Sequence, residues 1–174
     1  ISLILQSDFF YARFLQKLRR VETNLIDTLA IALTDELNLL INPNFYSSVN
    51  KPQKVALFKH ELLHVIHTHL FRREDRNPYL FNLATDLAIN QFIPNLPSGR
   101  ICNDCKTFIQ KEDTTIIVCP NCQSEKLKLA AMQDINNFYI NQKKISFPAK
   151  AEFEVYYKIL LENMPPEMIN KGMV

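Results

Sequence analysis

A chain of 174 residues with 47% hydrophobic and 22% charged side chains has the composition of a globular protein with a substantial core. Its net charge of +2 excludes a general attractive field for nucleic acid or an anionic membrane. No apolar run approaches the roughly 20 residues of a spanning helix, no signal-peptide order is visible, and the expected setting is therefore the cytosol.

In chain order, Phe9 to Glu22 has helical spacing, with Phe10, Phe14, Leu18 and Val21 on one face. Thr28 to Thr34 alternates through Leu29, Ile31 and Leu33, and Leu37, Leu39 and Ile41 alternate again. Joined around Asp35, the two stretches predict a β-hairpin, which Asn42-Pro43-Asn44 ends. Lys51 to about Arg72 reads as a long helix, with Asn50 as its N-cap and Pro52 in its first turn. Asn77-Pro78 opens a further helix to about Phe92, closed by Pro94 and Pro97. Asn136 to Ile145 is polar and ambiguous. Pro148 opens a last helix, Ala149 to Glu162, whose apolar stripe is Phe153, Tyr156, Tyr157, Leu160 and Leu161.

The long helix carries His60-Glu61-Leu62-Leu63-His64, an HExxH signature. Helical residues four apart lie about 40° apart in projection and about 6 Å apart along the axis, so both imidazoles can reach one Zn²⁺. Glu61, beside the first histidine, can take a proton from a water that the metal activates. A catalytic zinc needs a third protein ligand and an open fourth position. His67 lies about 10.5 Å along the axis from His60 and suits the flank of a cleft better than the same ion. His69 falls about 180° from His60 on a continuous helix and could ligate only if the helix broke, with no glycine there to turn it. Asp86, on the next helix among Leu83, Ala84, Leu87, Ala88 and Ile89, offers a carboxylate from an apolar face. It is the preferred third ligand. Asn90, one turn further on, would orient a ligand histidine.

All four cysteines fall in Cys102-Asn-Asp-Cys105 and Cys119-Pro-Asn-Cys122, separated by 13 residues. Two CxxC pairs at that distance predict a zinc ribbon whose four thiolates close the metal shell and make it structural. Ile116, Ile117 and Val118 are expected to form a strand into the second knuckle. Such a ribbon can also contact nucleic acid or a protein. Lys106, Lys111, Lys126 and Lys128 are diluted by Asp104, Glu112, Asp113 and Glu125, so no basic patch is evident.

HELLHVIHTHLFR from His60 to Arg72, then Asn77-Pro78 and Asn82-Leu-Ala-Thr-Asp86-Leu-Ala-Ile-Asn90, resembles the metallopeptidase domain found in front of a von Willebrand factor A-like domain in many bacteria, with short relatives in phages. Asn42-Pro-Asn-Phe45 and Ala151-Glu-Phe-Glu-Val-Tyr156-Tyr157 fit the same pattern. The resemblance implies a zincin-like fold, with His60, His64 and Asp86 as ligands and Glu61 as general base. His69 falls on that family's later histidine, which keeps it open as an alternative ligand or a neighbour of the site. The von Willebrand portion is absent, and the ribbon is an insertion. Spartan-like proteases, which act on DNA-bound proteins, also join HExxH to a ribbon. They need a downstream third histidine, and none follows His69.

The resulting expectation is an α+β, helix-rich zincin-like protein with a small hairpin packed on the HExxH helix and an inserted zinc ribbon. Residues 1–99 would form the metallopeptidase core, 100–127 the ribbon, and 128–174 the C-terminal helical part of the core. The expected activity is hydrolysis of a protein or peptide substrate with one catalytic and one structural zinc. A nucleic-acid- or protein-binding ribbon module and a DNA-associated protease are the alternatives. Substrate backbone would add to the Thr28–Ile41 hairpin, and His69, Arg72 and Tyr156 are candidate oxyanion donors.

Overall fold

A computed structural model describes residues 9–110, 116–129, 134–136 and 138–170. Two compact units divide the chain, one of residues 1–63 and 95–131, the other of residues 64–94 and 132–174. Both helices and small sheets are present, in keeping with the expected α+β class. No described helix is long and apolar enough to cross a membrane.

The first unit begins with α1 (Phe9–Leu15) and a three-stranded sheet in the order β1-β3-β2, built from β1 (Arg19–Glu22), β2 (Leu29–Leu33) and β3 (Leu37–Ile41). The hairpin stands as predicted, with Leu29 opposite Ile41 and Leu33 opposite Leu37. The single helix expected over Phe9 to Glu22 does not form. It stops at Leu15, and Arg19–Glu22 instead pairs in parallel with β3, Arg19 against Asn38 and Glu22 against Ile41. Tertiary strand pairing outweighs local helical spacing over these four residues.

Asn42 then does three jobs from a fully buried position. Its Oδ1 accepts the amides of Asn44 and Phe45, capping α2 (Pro43–Ser48), and its Nδ2 donates to the Ile26 carbonyl. The long helix α3 (Lys51–Ile66) opens on the expected N-cap. Asn50 Oδ1 accepts the Gln53 amide, and Gln53 Oε1 accepts the Asn50 amide in return, both at 3.0 Å.

The same unit holds a second sheet, β5-β4-β6, made of β4 (Gly99–Cys102), β5 (Phe108–Gln110) and β6 (Leu127–Leu129). It is fastened to the helices by Phe108, whose amide donates to Ser48 Oγ at 2.8 Å and whose ring meets Phe45 edge-on. Gln53 and Gln110 exchange amide hydrogen bonds beside it. Gly99 is required by this close approach, because a Cβ there would lie 2.1 Å from the Ile109 carbonyl oxygen. Residues 116–118 form no strand, and Ile117 is exposed.

The second unit packs α4 (Pro78–Asn90) against α5 (Phe153–Asn163), followed by a short α6 (Pro166–Asn170). Asn77 caps α4 through the Leu80 amide, and its backbone amide and Nδ2 are held by Tyr157 Oη and the Ile169 carbonyl. Leu80, Ala84, Leu87, Tyr156 and Leu160 are fully buried at the centre of this core. The ambiguous 136–145 stretch holds a small hairpin of β7 (Tyr139–Ile140) and β8 (Lys143–Lys144). α5 starts at Phe153 rather than Ala149, since Lys150 takes a left-handed conformation and the Ala151 amide donates to Tyr156 Oη.

Asn42→Ala removes a cap worth about 1 kcal/mol and also takes the donor from the Ile26 carbonyl, worth about 1 kcal/mol more. Urea denaturation is expected to show a loss of about 2 kcal/mol, and a loss under about 0.5 kcal/mol contradicts this account of the cap.

Candidate metal centre and active site

α3 carries His60, Glu61 and His64 on consecutive turns, the first two buried and His64 partly so. A carboxylate as buried as Glu61 needs a donor. It finds one in the Ile31 amide, which reaches Glu61 Oε2 at 3.0 Å. β2 lies at the edge of its sheet, and alternate residues of an antiparallel edge strand point their amides away from the partner. Glu61 is thus held against the outward-facing side of β2. Nothing in the local sequence marks Ile31 for this contact.

The helix does not continue to Arg72. It ends at Ile66, where the Thr68 amide returns to the Val65 carbonyl and the His69 amide to the His64 carbonyl, both at 2.9 Å. This is a Schellman closure, with Thr68 left-handed at φ 55° where glycine is usual. The turn that seemed to require a glycine is made without one. His69 is consequently brought back over the helix end, with its Nδ1 3.1 Å from His64 Nδ1. On the other side of the same ring, His64 Nε2 lies 3.2 Å from Asp86 Oδ1.

Asp86 is partly exposed on α4, a helix otherwise buried on most sides. Asn90 ends α4 one turn later and is buried. His67 is exposed and stacks on His69 with ring centroids 5.6 Å apart. His69 is only 4% exposed and meets Phe81 and Phe153 edge-on.

Two expected oxyanion donors are already engaged. The Arg72 guanidinium sits 4.5 Å over the Phe153 ring and pairs with Glu154. Tyr156 is buried, its hydroxyl donating to the Pro148 carbonyl and accepting from Gln91 Nε2 and the Ala151 amide. One donor and two acceptor sites exhaust a hydroxyl, so Tyr156 serves the core. The roles of Phe153 and Glu154 beside Arg72 were not legible from residues more than 80 positions away.

The four cysteines converge, with one sulfur from each within 4.8 Å of the others. The Sγ atoms of Cys102 and Cys122 lie 3.6 Å apart and those of Cys105 and Cys119 3.5 Å apart, well beyond a disulfide length of about 2.05 Å. Each CxxC pair is a matching knuckle: the Lys106 amide returns to the Cys102 carbonyl, and the Gln123 amide to the Cys119 carbonyl. Lys106 and Gln123 are both left-handed, which turns the knuckle sharply enough to aim two sulfurs one way. Lys106 and Lys128 pair with Asp27, whose carboxyl their hydrogen bonds hold below its ordinary range, and Lys126 pairs with Asp104. Lys111 lies outside the described residues.

Against known proteins, a family model described as "Putative metallopeptidase domain" matches residues 1–97. An uncharacterized protein of Thermotoga maritima is 33% identical over 70 residues, covering 39% of this chain and 18% of the relative. The match therefore spans less than a fifth of that relative's length. No solved structure matches.

The cysteine cluster lies beyond the matched residues, and its protonation makes a separate prediction. Burial opposes charge at Cys105, but hydrogen bonds from the Thr107 hydroxyl and amide, Asn121 and Cys122 outweigh it and bring the thiol down to about 6. At Cys122 the Ser124 amide favours the thiolate, but Cys105, burial, Cys102 and Cys119 outweigh it and push the thiol up to about 12. At pH 7 the metal-free cluster thus holds a proton on Cys122 that a metal must displace, so affinity falls as pH falls. Calorimetric zinc titration in buffers of different ionisation enthalpy is expected to show at least this proton released. Uptake with no proton release contradicts four-thiolate binding.

Proposed function

This chain belongs to the metallopeptidase domain family, and we propose on that footing that it hydrolyses peptide bonds with a zinc ion held by His60, His64 and Asp86. The observation that carries the assignment is the approach of Asp86 Oδ1 to His64 Nε2 at 3.2 Å. Two ligands each about 2 Å from one ion in a tetrahedral shell sit roughly 3.3 Å apart, so the pair fits a shared zinc. His60, one turn earlier on α3, completes a two-imidazole, one-carboxylate donor set that leaves a fourth position open. A second zinc in the four-cysteine cluster is structural, because its shell is closed by protein sulfur.

When bound, the catalytic zinc supplies Lewis acidity for the scissile carbonyl and its attacking water. The chain's own residues do the rest. Glu61 takes the proton of the attacking water and delivers it to the departing amine. Its bond to Ile31 keeps the carboxylate in one orientation beside β2. An extended substrate backbone pairs along the part of the β2 edge that Glu61 leaves open, as in a zincin-like arrangement. That geometry brings the peptide to the base. Lys106, Lys126 and Lys128 are already paired with carboxylates, which favours a protein substrate over nucleic acid as the principal ligand.

Glu61→Gln is expected to lower peptide hydrolysis by about 10²–10⁴-fold while both zinc ions remain bound. Cleavage of a peptide library with metal analysis of the same sample reads both quantities. Undiminished cleavage contradicts the assignment of Glu61.

A further inference from the structure

We propose that His69 is a positioning residue: its Nδ1 accepts the Nδ1–H of His64 and so fixes the one His64 tautomer that can ligate metal. The proposal rests on the zinc site described above and adds a residue outside its ligand set. A neutral imidazole carries a single N–H, and its other nitrogen offers a lone pair. His64 faces Asp86 with Nε2 and His69 with Nδ1. The 3.1 Å separation of the two Nδ1 atoms is a hydrogen bond holding one proton. If that proton belongs to His69, His64 carries its hydrogen on Nε2 and has no lone pair for a metal beside Asp86. If it belongs to His64, Nε2 is a ligand. His69 as acceptor selects the second arrangement, just as outer partners orient metal-binding histidines generally.

The backbone is built to hold His69 in place. Its amide closes the end of α3 on the His64 carbonyl itself, so ring and backbone of one residue grip ring and backbone of the other. Phe81 and Phe153 wall the ring edge-on, and His67 stacks on it. The turn delivering it places a β-branched residue, Thr68, at φ 55°, a conformation costing about 1–2 kcal/mol. Strain of this kind persists where surrounding contacts over-determine it, and it concentrates at functional positions. In this case it converts a residue on the far side of a continuous helix into a neighbour of His64.

The test compares His69→Leu, which fills the space without an acceptor, with His69→Asn, whose Oδ1 can take the place of Nδ1. Zinc affinity of the full chain is measured by competition with a chelator, and the His64 tautomer by ¹⁵N NMR of the metal-free protein. His69→Leu is expected to weaken the chelatable zinc by about 10–100-fold and, in the metal-free protein, to remove the preference of His64 for its Nδ1–H tautomer, with His69→Asn restoring most of the affinity. Equal affinity in His69→Leu and the wild type overturns the inference and leaves the zinc site standing. An equal loss in both variants also overturns it, because an acceptor at that place then does not set the affinity. Wild-type protein that takes up zinc only at the cysteines overturns the inference together with the reading beneath it.

Discussion

The candidate site depends on where α3 stops. A helix running on to Arg72 would throw His69 about 180° away from His60 and carry the chain past any return to Asp86. Stopping at Ile66 with a left-handed Thr68 does the opposite. His64 gains a histidine on one ring nitrogen and a carboxylate oxygen on the other, within about one hydrogen-bond length on each side. A ring fixed at both nitrogens cannot turn away from a ligand position, and this kind of preorganisation makes a metal site selective in geometry as well as in donor type.

Packing remote in sequence supports that turn. Phe153, at the start of α5, presents its edge to His69 and its face to Arg72, while the neighbouring Glu154 pairs with the same guanidinium. α5 is in turn held by Tyr156, whose hydroxyl ties together Pro148, Gln91 and Ala151. Phe153 of α5 therefore bears on His64 through His69. These contacts stabilise the wall against which His69 rests.

Much of this was legible because local rules and tertiary demands agreed. The hairpin followed from strict alternation through Leu29, Ile31 and Leu33, and the starts of α3 and α4 from Asn50 and Asn77 with their following prolines. The CxxC spacing located the cysteine cluster, and Asp86, singled out by its apolar surroundings, lies beside His64. The failures have physical causes. Arg19–Glu22 is a strand only because β3 is there to pair with it, and four residues of helical spacing contain no trace of that partner. The end of α3 was hidden because Thr68 occupies a conformation that glycine ordinarily supplies. Tyr156 looked available as a polar tip on an apolar stripe, yet a buried hydroxyl must be satisfied within the core.

In the proposed reading the two candidate metal clusters divide the work by the hardness and closure of their donors. Sulfur from four cysteines leaves no room for a substrate, whereas two imidazoles and one carboxylate do. Anomalous diffraction at the zinc edge, from crystals of zinc-loaded protein, tests this division most directly. Two ions are expected, one among Cys102, Cys105, Cys119 and Cys122, the other bounded by His60, His64 and Asp86 with Glu61 beside its open position. A single ion at the cysteines, or a second ion whose ligands omit Asp86, contradicts this division.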